Sequence, residues 1–185
     1  MRERTHDLHV ALEARLLLAR PAAGRADYAR YVAAMWGWLA PLEPALWQCD
    51  RWSAELEPAE RGCKSSWLVE DLDAARADGF LRSEPVSCVQ QVDFADSANR
   101  FGWAYVIEGS MLGGQLLQRR LDATLTPWPM RYLHGYGERT ARRWNEFLAA
   151  LAREVVTPLQ IDAAAAAAAQ AFRSIHGWFG QRGLA

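Results

Sequence analysis

His9 and Glu13 stand four residues apart in Thr5-His-Asp-Leu-His9-Val-Ala-Leu-Glu13, so on a helix the two side chains share one face. A carboxylate in that position can accept a hydrogen bond from one imidazole nitrogen while the other nitrogen faces a metal. This fixes the tautomer and makes the ring a better ligand. The same pair is also an ordinary helix-surface contact worth about 0.2–0.5 kcal/mol. A second unusual stretch is Tyr105-Val-Ile-Glu-Gly109-Ser110-Met-Leu-Gly113-Gly114-Gln115, where three glycines interrupt a helical pattern. Each costs a helix interior roughly 0.8–1 kcal/mol relative to alanine. Gly109 and Gly113 fall one turn apart on one face, and the main chain is bare there. Such a face suits either a close helix crossing or a flat ligand lying against the backbone.

One histidine cannot make a protein-only metal site. His6 lies three residues from His9, and His134 and His176 have no adjacent Cys, Asp or Glu motif. The paired Glu-x-x-His motifs of a di-iron carboxylate bundle are absent as well. A single axial histidine is, however, all that a haem iron needs from the chain, because the porphyrin supplies the other nitrogens. Haem is flat and wide, and its far side needs a surface poor in side chains. The Gly109–Gly114 stretch is such a surface, so the two odd features explain each other.

The elements that must position these residues read as helices. Thr5 to about Arg20 carries a Leu8, Leu12, Leu16 stripe and stops before Pro21. Asp27 can cap a helix that continues, with a kink or restart at Pro41, to about Trp47. Ser66 to Ala77 follows, and Asp96 to about Thr124 is the long glycine-bearing helix before Pro127 and Pro129. Gly137 to about Val156 is next. Thr157-Pro158, a cap with proline at the first helical position, opens the last helix to about Gly177. Its Ala163–Ala169 tract favours helix and lets a neighbouring helix come close. The expectation is one all-α domain over residues 1–185, a bundle of six or seven helices without repeat or linker.

Composition narrows the classes of function. The chain has 185 residues, nine of them tryptophan, is 51% hydrophobic, and carries a formal charge of −1. A packed core is expected, and no global field draws the molecule to nucleic acid. Lys64 is the only lysine among 21 basic residues, which reads as arginine-biased composition rather than phosphate binding. Cys49, Cys63 and Cys88 are odd in number and widely spaced, against a disulfide framework or a zinc site. No apolar run is long enough for a membrane span, and the charged first residues lack the order of a secretory signal. A cytoplasmic protein is expected. Trp36, Trp38, Trp47, Trp52 and Trp67 suit either a core or an exposed interface.

The His9 segment resembles the proximal segment of the heme oxygenases, and the Tyr105–Gly114 segment resembles their distal helix, in the bacterial form found beside bacteriophytochromes. The likeness extends through Tyr28-Ala-Arg-Tyr31 to Glu43, Tyr136-Gly137 with Trp144, and Thr157-Pro158 to Phe172. It implies oxidative opening of haem to biliverdin, carbon monoxide and free iron. His9 would then be the axial ligand, Glu13 its hydrogen-bonded support, and Gly109, Ser110, Gly113 and Gly114 the distal surface. Arg2, Tyr105 and Arg143 (with Arg142 beside it) match positions suited to the haem propionates, although a solvated face serves the arginines equally. Phe172 would pack on haem or in the core. Electrons would come from another protein, of ferredoxin or flavin reductase type, and a bacteriophytochrome would accept the biliverdin. Many members of the family carry aspartate where this chain has Ser110. That departure favours the competing reading of a haem carrier or sensor without turnover. A thiamin-salvage hydrolase on the same scaffold would need a cysteine nucleophile that neither Cys63 nor Cys88 is spaced to provide.

Overall fold

The computed structural model describes residues 2–184, apart from the side chains of Arg2, Glu13, Ala14, Arg15 and Cys49. It is all-α. The longer helices are α1 (Arg2–Arg15), α2 (Arg25–Leu39), α5 (Lys64–Ala77), α6 (Ser97–Leu125), α8 (Thr140–Glu154) and α9 (Pro158–Gly180), with single turns α3 (Glu43–Leu46), α4 (Pro58–Arg61) and α7 (Arg131–His134) between them.

Local chemistry sets the ends of the helices. Asp96 caps α6 by accepting from Asn99 N at 2.8 Å. Thr157 and Gln160 form a capping box at the start of α9, with Pro158 at its first position. At α2 the expectation needs correcting. Asp27 lies inside the first turn, and its carboxylate accepts from the backbone N of the cap residue Gly24 at 3.0 Å. The chain restarts as α3 beyond Pro41, whose ring lacks the N–H that would continue the ladder, although Ala40 before it keeps helical angles of φ −58° and ψ −37°.

The centre of the molecule is the crossing of α6 on α9. A Cβ on Gly102 would lie 2.5 Å from Ala164 O and 2.6 Å from Ala167 Cβ, so only glycine against an alanine tract allows this approach. Trp38 and Trp103 stack with centroids 5.9 Å apart, and Trp38 Nε1 donates to Ser174 Oγ at 3.0 Å. Trp38, Trp47, Trp52 and Trp67 are buried and Trp36 is half-buried, which settles these tryptophans as core. Burying an aromatic of this size contributes about 1.5–3 kcal/mol.

Candidate functional site

Helices α1 and α6 both pack along α9 and make no extended contact with one another. His9 is exposed on α1, with its ring edge-on to Phe172 of α9 at 5.8 Å and 83°. Phe172 itself is buried, so it packs in the core and supports the imidazole at once. On α6, Gly109 and Gly113 are half-buried and Leu116 is 68% exposed. Val10 on α1 is 48% exposed. Arg120 of α6 donates to Leu18 O and, at 3.1 Å, to Ala19 O, which ties α6 to the segment after α1. Arg4 ties α1 to Asp162 of α9 at 2.5 Å.

Gly109 is not a helix crossing. A Cβ there would meet nothing closer than the Trp144 ring at 3.5 Å, an ordinary contact. Trp144 also packs on Tyr105, with centroids 5.2 Å apart. Gly109 is thus a glycine that no neighbour in the fold requires, on a helix packed along the same α9 that carries Phe172 against His9.

Two expected site residues are placed elsewhere. Gly114 is buried against α7, where a Cβ would lie 3.2 Å from Leu133 O, so its bareness serves packing. Arg143 is buried beneath the Tyr136 ring and paired with Glu57 and Glu60, leaving no guanidinium for a propionate. Those carboxylates hold its pKa above the ordinary arginine value, although burial acts to lower it. Arg142 is exposed and lies 3.4 Å from Glu146. The side chains of Arg2 and Glu13 lie outside the described residues, although both positions belong to α1.

Directly behind Gly109 lies a charged cluster that the sequence did not announce. Glu108 is 2% exposed. It accepts from Lys64 Nζ at 2.6 Å, from Arg61, and from the Tyr136 hydroxyl at 3.1 Å. Lys64 Nζ also donates to Arg61 O at 2.6 Å and to Tyr136 Oη at 2.7 Å, which uses all three of its protons. Glu43 accepts from the backbone N of Lys64 at 2.9 Å and of Ser65 at 2.7 Å. Burial alone would lower the Lys64 pKa, but Glu108 outweighs it and holds the ammonium protonated above its ordinary range. The signal in the sequence was the one lysine, together with a glutamate inside an apolar run.

A nucleophilic cysteine is not supported. Cys63 Sγ donates to Glu60 O at 2.8 Å, and burial pushes its thiol upward, so it stays protonated. Cys63 and Cys88 are free. No three His, Cys, Asp or Glu among the described residues are grouped to hold a metal ion. No helix among those residues is long and apolar enough to cross a membrane.

The arrangement is that of an all-α protein whose α9 packs against both an exposed histidine on α1 and the glycine-bearing helix α6. Residues 1–181 match the family profile described as Heme oxygenase. The chain therefore belongs to the heme oxygenase family, oxidoreductases that bind haem as substrate and degrade it. Comparison with curated proteins gives no significant match.

Proposed function

We propose that this chain, as one domain over residues 1–185, opens haem oxidatively to biliverdin, carbon monoxide and free iron, with dioxygen as oxidant and electrons from an external donor. The reading is carried by family membership together with an exposed His9 on α1 and a Gly109 on α6 that packing does not require, both helices lying along α9. Bound haem supplies the redox chemistry and is itself the molecule oxidised. His9 holds the iron through one imidazole nitrogen, and Glu13, on the same helical face, accepts from the other. Phe172 fixes the plane of the His9 ring. Gly109 and Gly113 keep side chains away from the far face of haem and let the helix flex for product release. Ser110 orders water beside that face, in place of the aspartate many relatives carry. Arg2 and Tyr105 meet the propionates. Electrons arrive from a ferredoxin or flavin reductase type partner, and a bacteriophytochrome accepts the biliverdin. The free thiols of Cys63 and Cys88 suit the reducing cytoplasm.

Ser110 also suits a second reading, a haem carrier or sensor without turnover. Both readings require His9. Hemin titrated into the protein should give a one-to-one Soret band that His9→Ala abolishes or shifts. An unchanged band in His9→Ala would assign the iron to another ligand.

A further inference from the structure

A cleft of about 460 Å³ opens between the junction of α4 with α5 and the short helix α7. That volume falls within the usual range of small-molecule sites, about 300–1,000 Å³. Glu60, Cys63 and Trp67 line one side; Arg131, His134, Tyr136 and Arg139 line the other. Among the described residues, none from α1, α6 or α9 borders it, so it is a site apart from His9 and Gly109.

The two arginines of the cleft are held very differently. Arg131 is fixed from three sides. Its backbone N donates to Asp71 at 2.7 Å, its Nη1 donates to Gly135 O at 2.8 Å, and its guanidinium lies 4.2 Å from the centroid of the Trp67 ring. Among the described residues no carboxylate pairs with that guanidinium. Main chain and an aromatic face therefore set its position, and no anion answers its charge. Arg139 is exposed, with Glu60 at 3.4 Å as its partner. Glu60 is the only acid among the described lining residues, and buried Arg143 contacts it more closely. An exposed pair as long as Arg139–Glu60 is weak and easily exchanged. The floor is aromatic: Trp67 and Tyr136, each 7% exposed, meet edge to face with centroids 5.3 Å apart.

We propose that this cleft binds a small organic anion, gripped by Arg131 and Arg139 through a carboxylate or phosphate group and resting on the Trp67–Tyr136 floor. A guanidinium presents a fork of N–H donors matched to either group. Arg131 is already in place, so its side chain loses little freedom on binding. The incoming anion displaces only the long Glu60–Arg139 contact. This site stands whether or not the chain degrades haem.

Calorimetric titration of the haem-free chain with citrate, inorganic phosphate and glycerol tests it. Citrate or phosphate should bind one-to-one at millimolar concentration, and glycerol should not. Tighter citrate would assign the natural ligand to the carboxylates, tighter phosphate to the phosphate esters. Arg131→Gln and Arg139→Gln should each weaken binding about tenfold, the loss of a charged hydrogen bond. Arg139 is exposed, so its variant leaves the core untouched. Cys63, in the lining, reports occupancy without any substitution. Its alkylation by iodoacetamide, read on its own peptide by mass spectrometry, should slow severalfold with the anion bound, while that of Cys88 stays the same. No saturable binding of either anion, equal binding of glycerol, unchanged affinity in both variants or an unprotected Cys63 would each overturn the proposal. Equimolar hemin should leave the anion affinity unchanged. Displacement of the anion by hemin would give these arginines to the haem propionates and overturn a separate site.

Discussion

At the scale of single residues, two glycines of one helix do opposite work. Gly102 is required by packing, since a Cβ there would enter the van der Waals shell of Ala164 O and Ala168 N on α9. Gly102→Ala should therefore cost about 1–3 kcal/mol, the usual penalty of an overpacked core. Gly109 has room, its nearest neighbour being the Trp144 ring at 3.5 Å. Gly109→Ala should raise stability by up to about 1 kcal/mol through helix propensity and yet slow bilin formation. Thermal unfolding and a turnover assay on the same two variants check this. A Gly109→Ala protein both more stable and fully active would mean the glycine does not serve the ligand.

At the scale of elements, what holds α6 against α4 and α5 is charge. Glu108 answers two buried cations, Arg61 and Lys64, whose side chains are fully screened from solvent. Burying ions is expensive, and the cluster is tolerated because its protons and lone pairs are matched. Removing one partner strands the others, so Glu108→Ala should destabilise by about 3–5 kcal/mol and Lys64→Met by a similar amount. Chemical denaturation midpoints would measure both. A change below about 1 kcal/mol would mean that water enters and solvates the remaining charges.

The helices of the bundle were legible because their signals are local. The Asp96 cap, the Thr157-Pro158 start and the alanine tract each act within one turn, and all three sit where expected. Asp27 was misplaced for the same local reason, since an acid one turn inside a helix and an acid at its cap look alike along the chain. Lys64 and Glu108 are far apart in sequence, and nothing in either neighbourhood shows that they meet. Arg143 failed likewise, because its partners Glu57 and Glu60 come from α4 and the residue before it. The single turn α7, entered through Met130 at φ 45°, has no periodicity to find, and it carries Tyr132.

At the scale of the whole molecule, the buried titratable groups share one direction. Burial lifts Tyr28, Tyr31, Tyr132 and Tyr136 above the ordinary tyrosine range, the nearby Asp71 or Glu108 carboxylate adding to the rise at Tyr28, Tyr31 and Tyr136. Lys64 is raised too, Glu108 outweighing the lowering effect of burial. A group whose folded pKa lies above its unfolded value contributes fully below the unfolded value, and its contribution is lost as pH climbs toward the folded one. These five groups should thus leave stability level up to about pH 10 and erode it above that. Absorbance of tyrosinate followed against unfolding should show these four phenols ionising only as the fold is lost. Ionisation of all the tyrosines near pH 10 in the folded protein would contradict the burial that organises the core.

The most direct test of the central claim is a hemin titration followed, in the same cuvette, by reductant under air. The account predicts a one-to-one Soret band that decays into the broad far-red absorbance of a bilin, with release of carbon monoxide. A Soret band that survives reductant would make the protein a haem carrier, and no band at all would return the Gly109–Gly113 face to an unexplained feature of α6.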